Sequence, residues 1–82
     1  MLEKKSYPLS LIYVPINRTK TLNQAKVLAL AEDILVNGQK TPIQLRIDNK
    51  RFVLIQGLHR LEAVRALGED TIEAYLVRAR LH

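Results

Sequence analysis

FVLIQGLHRLEAVRALG, residues Phe52 to Gly68, changes character at Gln56 and Gly57. Before that point the apolar run from Phe52 to Ile55 has no polar alternation, which predicts a strand covered on both sides. After it, Leu61, Ala63, Val64 and Leu67 occupy one broad sector at about 100° per residue, the pattern of a helix that closes at Gly68-Glu69-Asp70. Arg60 projects into the middle of that sector. A buried unpaired guanidinium is prohibitively costly, so Arg60 must reach solvent, pair with a carboxylate, or meet a bound anion. The anion is favoured by its surroundings: open amides at residues 57 to 60, the positive end of the helix dipole, a glycine that lets a ligand approach, and a further donor in His59. The plainer alternative makes Gly57 a turn residue, pairs Arg60 with Glu32, Asp33 or Glu62, and leaves His59 an exposed polar side chain.

Upstream, Leu9 to Ile12 reads as a short strand, followed by an irregular loop from Tyr13 to Lys20. Thr21 and Gln24 have capping-box spacing, which predicts a helix opening at Thr21. Val27, Leu30, Ala31, Ile34 and Leu35 form its apolar stripe over about four turns, and Gly38 stops it. Ile43, Leu45 and Ile47 alternate with Gln44, Arg46 and Asp48, a strand with one wet face. A turn at Asp48 to Lys50 joins it to Phe52–Ile55 as a hairpin. Ile72, Ala74 and Leu76 suggest a last strand, and Arg78 to His82 a basic tail. The order is β-α-β-β-α-β, a small α/β arrangement of the α+β class.

At 82 residues the chain has room for one core, so residues 1–82 are read as a single domain. Its N-terminus lacks signal-peptide features and no apolar run approaches the roughly 20 residues needed to cross a bilayer; the expectation is a cytoplasmic protein with no membrane partner. With no cysteine, thiolate chemistry and disulfides are excluded. There is no Walker loop and no paired-histidine metal spacing, so no metal ligands are assigned, and Ser6 and Ser10 have no base pattern beside them. A net charge of +5 favours an anionic partner, nucleotide or nucleic acid. Three Tyr, one Phe and no Trp argue against a base-stacking platform.

The run Gly57 to Ala63, with Leu67-Gly68 and Thr71 to Ala74 after it, resembles the signature of the ParB/sulfiredoxin superfamily, Gly-x-x-Arg-x-x-Ala followed by Leu-Gly-x-x-x-Ile. Tyr7 to Ile12, Pro15-Ile16, Ala25 to Val27 and Thr41 to Ile43 fall in the same order and spacing, so the resemblance covers about Tyr7 to Val77. The His59-Arg60 pair and the short length are closer to the sulfiredoxin branch. The resemblance implies a compact domain holding a nucleotide's phosphates at the N-terminus of the second helix. Gly57, His59 and Arg60 match residues that contact ATP phosphates in sulfiredoxins, and Lys26 matches a lysine on the first helix. A basic residue in the loop after the first strand is replaced by Tyr13 and Val14; Arg18 or Lys20 is the substitute.

Two departures bear on the chemistry. Sulfiredoxins repair cysteine sulfinic acid through a motif cysteine, and here that position is Leu58, which cannot act as a nucleophile. Hydroxyl residues along the first helix become Ala29 and Asp33; Asp33 could repel phosphate or hold Mg²⁺ with His59 or Glu62, though a lone carboxylate is more often simply solvated or paired. The leading expectation is a domain that binds ATP or another nucleoside triphosphate through Gly57, His59, Arg60, Lys26 and Arg18, with slow Mg²⁺-dependent hydrolysis as the accompanying activity and its catalytic residues unassigned. The alternatives are a DNA-binding module with nuclease activity, lacking a helix-turn-helix after the motif, and a noncatalytic protein-interaction domain that uses Leu58 on the solvent side of the second helix.

Overall fold

The computed structural model describes residues 3–78. Strands β1 (Lys4–Pro8), β2 (Ile12–Tyr13), β3 (Ile43–Asp48), β4 (Arg51–Gln56) and β5 (Thr71–Leu76) form one sheet in the order β1-β5-β3-β4-β2. The β3/β4 hairpin is antiparallel, as is β1/β5, whereas β2 runs parallel to β4 and β3 parallel to β5. Helices α1 (Ile16–Thr19), α2 (Gln24–Asn37) and α3 (Leu58–Ala66) occupy the connections. The expected β-α-β-β-α-β order survives as β2-α2-β3-β4-α3-β5; β1 and α1 are additional.

The N-terminal third departs most from expectation. Leu9–Leu11 is a 3-10 turn rather than a strand, with the Leu9 amide donating to the Asp70 carbonyl at 2.9 Å. The strands on either side are β1 and the two-residue β2. β1 is an edge strand carrying Lys4, Lys5 and a terminal Pro8; an edge needs no alternating apolar pattern, and lysines there discourage pairing with other chains. β2 is tied down by its pairing with β4 and by the Arg51 guanidinium 4.0 Å above the Tyr13 ring.

The start of α2 also moves. Thr21 Oγ1 donates to the Arg18 carbonyl at 2.9 Å, so Thr21 closes α1 instead of opening α2. Asn23 is the N-cap, its Oδ1 accepting from the Lys26 amide at 3.2 Å. An asparagine caps as well as a threonine, and only one of the two can stand where the chain turns inward. Gly38 ends the helix at φ 78°, its amide bonding the Ile34 carbonyl at 2.8 Å. Of the apolar stripe, Val27 and Ala31 are buried and Leu30 and Ile34 half-buried, but Leu35 is 73 % exposed. Ile47, expected to face inward, is 56 % exposed at the far end of β3.

Ile43, Leu45, Leu54, Leu61 and Ile72 are almost completely buried and form the centre of the core. α3 is apolar on two sides: Leu58, Leu61 and Val64 pack against the sheet, while Ala63 packs on Val27 and Ala31 of α2. Its end is a Schellman motif, in which Gly68 bonds the Arg65 carbonyl at 3.0 Å and Glu69 bonds the Val64 carbonyl at 3.3 Å. The tail expected at Arg78 to His82 lies outside the described residues beyond Arg78.

Gln39 has no obvious sequence signal. Its side-chain amide accepts from the Glu73 amide at 3.0 Å and donates to the carbonyls of Glu73 at 3.0 Å and Thr41 at 3.2 Å, extending β3 by one surrogate peptide along β5. Gln39→Ala strands these groups and is expected to destabilise the fold by about 1–3 kcal/mol, measurable by urea denaturation.

Candidate functional site

Gly57, at φ 114°, turns the chain from β4 into α3 and contributes no side-chain cap. The first helical bond is Leu61 to the Gly57 carbonyl at 2.9 Å, which leaves the amides of Leu58, His59 and Arg60 without acceptors in the helix. No acidic residue occupies the first turn of α3, or of α2. A helix start of this kind favours anions through both its open donors and its dipole.

Arg60 is half-buried, in the gap between the two packed sides of α3. The carboxylates offered as partners are engaged elsewhere or apart from it. Glu62 lies 3.6 Å from Arg65, and Asp33 accepts from Asn37 at 2.9 Å and lies 3.9 Å from Lys40. Among the described residues no ion pair or hydrogen bond involves the Arg60 guanidinium, and none of its nitrogens is buried without a partner, so the half-buried side chain carries its head group to solvent at the start of α3. The contacts of Asp33 also remove it from the suggested Mg²⁺ group with His59 or Glu62, and among the described residues no cluster of three or more acidic or histidine side chains is placed to hold a metal.

His59 is not a free surface side chain. Its Nε2 accepts a hydrogen bond from the Asn23 amide at 3.0 Å, joining the first turn of α3 to the N-cap of α2. This brings Lys26, exposed in the first turn of α2, to the same end of the molecule as Arg60. Because Nε2 is an acceptor there, Nδ1–H is the ring's remaining donor. Arg18 is exposed in the last turn of α1; among the described residues no hydrogen bond or ion pair connects its side chain with α3. Lys20 is likewise exposed just ahead of α2.

Leu58 contradicts the expectation of a solvent-facing protein-binding residue: it is 7 % exposed, in the core cluster with Leu54 and Leu61. α3 is flanked by the sheet and by α2, so its buried arc is wider than a single-stripe reading allows. The residue missed by sequence reasoning is Asn23. Its capping chemistry was readable, but its partner lies 36 residues away.

A groove of about 320 Å³ opens at the opposite end of the helix pair, lined by Ile34, Leu35, Gly38, Gln39, Val64, Leu67, Glu69 and Thr71. It receives the C-terminal, negative ends of two parallel helices together with the Glu69 carboxylate. Phosphate is disfavoured there by the same electrostatics that favour it at the other end.

The model of the ParB N-terminal domain matches residues 6–81. The chain belongs to the ParB N-terminal domain family. It is thereby a member of the ParB/sulfiredoxin superfamily. No curated protein matches it in sequence. The sulfiredoxin of Arabidopsis thaliana superposes with a TM-score of 0.85 at 30 % identity, over 94 % of this chain and 86 % of that one. The chromosome-partitioning protein ParB of Caulobacter crescentus, in complex with CTP-γ-S, is similar in fold at a TM-score of 0.78 and 17 % identity, over 98 % of this chain and 46 % of that one. A free serine kinase in complex with AMP is similar at 0.78 and 16 %, over 93 % of this chain and 31 % of that one. The chain thus spans less than half the length of the latter two.

Proposed function

We propose that this ParB N-terminal domain binds a nucleotide, holding its phosphates against the first turn of α3. The observation that carries the reading is an arginine whose solvent-reaching guanidinium has no carboxylate partner among the described residues, on the same helix turn as three amides without acceptors in the helix. Arg60 supplies a planar fork suited to two phosphate oxygens, the amides of Leu58 to Arg60 supply fixed donors, and Lys26 adds a point charge from α2. Arg18 and Lys20, exposed at the end of α1 ahead of α2, are the further cations offered to the outer phosphates. Similar folds with CTP-γ-S and with AMP support a nucleotide as the ligand class.

A nucleoside triphosphate, ATP or another, fits this count of donors best, with Mg²⁺ arriving on the phosphates rather than on a protein carboxylate cluster. Sulfinic-acid repair is not proposed. Leu58 is a buried apolar side chain where that chemistry needs a nucleophile. Slow Mg²⁺-dependent hydrolysis is the accompanying activity, with its catalytic residues unassigned.

Calorimetric titration of ATP, CTP and GTP, each with and without Mg²⁺, tests the proposal. Binding of at least one nucleotide well below about 1 mM, an interaction stronger than about 4 kcal/mol, is expected. Absence of heat and of amide chemical-shift change at millimolar concentration of all three overturns it.

A further inference from the structure

The bond from the Asn23 amide to His59 Nε2 bears on how the phosphate site is assembled. Asn23 makes two hydrogen bonds at once: its amide donates to His59 at 3.0 Å, and its Oδ1 accepts from the Lys26 amide at 3.2 Å. The two bonds run in series from the first turn of α3 to the first turn of α2. They connect the turn that carries Arg60 to the backbone that carries Lys26, two cations supplied by helices that, among the described residues, are joined by packing and by this one hydrogen bond. A backbone amide can only donate, so Nε2 must be unprotonated while the bond exists. A ring that accepts at Nε2 carries its one proton on Nδ1.

We infer that His59 is a positioning residue: its Nε2 accepts from Asn23 to set the spacing between the α2 and α3 turns, and it is not a cationic or Nε2–H ligand of the phosphate. The inference rests on the nucleotide reading for its effect on affinity, but the bond itself is testable without any ligand. Protonation of Nε2 would replace an acceptor with a donor facing the Asn23 amide, two like groups, and would separate the turns. The charged groups on the surrounding turns are Arg60 and Glu62 on α3, Lys26 on α2, Arg18 on α1 and Lys20 ahead of α2.

The two roles for His59 predict opposite responses to acid. A direct imidazolium ligand would gain affinity for phosphate as it becomes charged; a tie that needs the neutral ring would lose it. Inorganic tripolyphosphate is a suitable probe because it tests the phosphate site independently of the base. His59→Gln keeps an acceptor near the Nε2 position and cannot become cationic, so it cancels the protonation of the probe itself. His59→Ala removes the tie.

Long-range proton–nitrogen spectra of the nitrogen-15-labelled, ligand-free chain are expected to show Nδ1 protonated and Nε2 bare, with the Asn23 amide protected from exchange in the parent and unprotected in His59→Ala. Tripolyphosphate affinity is expected to fall on the order of tenfold in His59→Ala, the worth of one hydrogen bond, and to stay within about threefold in His59→Gln. On acidification the parent should weaken relative to His59→Gln, because a protonated Nε2 can no longer accept from the Asn23 amide. An Nε2–H tautomer, an Asn23 amide indifferent to His59→Ala, or a parent that gains on His59→Gln in acid overturns the inference. Should the parent bind no tripolyphosphate, the nucleotide reading fails, and the tautomer and the Asn23 exchange still decide whether the tie exists.

Discussion

Gly57→Ala is expected to destabilise the protein by about 3–5 kcal/mol, a large share of the roughly 5–15 kcal/mol that holds a small domain together. Two separate penalties add. At φ 114° an alanine is in strained backbone territory, worth about 1–3 kcal/mol. A Cβ built there would stand 2.5 Å from Ile43 Cγ2, 2.8 Å from Ile43 Cβ and 3.3 Å from its Cα. Neither β3 nor α3 can retreat from that overlap, because Ile43 is 1 % exposed at the centre of the core and overpacking adds a further 1–3 kcal/mol or so. Gly38→Ala and Gly68→Ala are the controls. Both glycines have φ 78°, but an added methyl at either would meet nothing within 4 Å, so each should lose only the backbone part, about 1–2 kcal/mol. Urea denaturation of the three variants separates the terms. A Gly57→Ala protein no less stable than Gly38→Ala would show that the contact with Ile43 is relieved at little expense. The need for glycine at this position therefore arises in the core, whatever binds on the other side of the turn.

Arg60→Ala is expected to weaken nucleotide binding about 10- to 150-fold, corresponding to one or two charge-assisted hydrogen bonds worth about 1.5–3 kcal/mol. Thermal or urea stability should change by no more than about 0.5 kcal/mol, because the guanidinium makes no ion pair or hydrogen bond with the described residues that the substitution could remove. Arg60→Lys should fall between, keeping charge but losing the fork. Titration of the tightest of ATP, CTP and GTP into each variant measures the first effect, and denaturation the second. Unchanged affinity in Arg60→Ala removes Arg60 from the site. A stability loss of several kcal/mol would instead place Arg60 in the architecture. This dissociation of binding from folding separates a residue held in place for a ligand from one held for the core.

Most of the regular structure was legible because its periodicity is local. The β3/β4 hairpin follows from alternation, a turn at Asn49 with φ 58° and an uninterrupted apolar run, and α3 from its spacing and its glycine stop. β1 was illegible for a physical reason: an edge strand whose first residues are exposed lysines has no apolar period to read. Leu58 misled because a helix amphipathic on one side would expose that position, and α3 is covered on two. The candidate site divides in the same way. Gly57, His59 and Arg60 stand out as a cluster in the chain, whereas Asn23 joins them only through the packing of α2 on α3.

By itself, the amino-acid sequence determined the family, the succession of the main helices and strands, and the loss of the nucleophile at position 58, since each depends on residue identity and short-range spacing. Only the tertiary structure decided that Arg60 lacks a carboxylate partner among the described residues, that Gly57 is required by Ile43, and that His59 accepts a bond from Asn23. Those are facts about groups distant in the chain, and their contacts exist only once the sheet and the two parallel helices have brought them together.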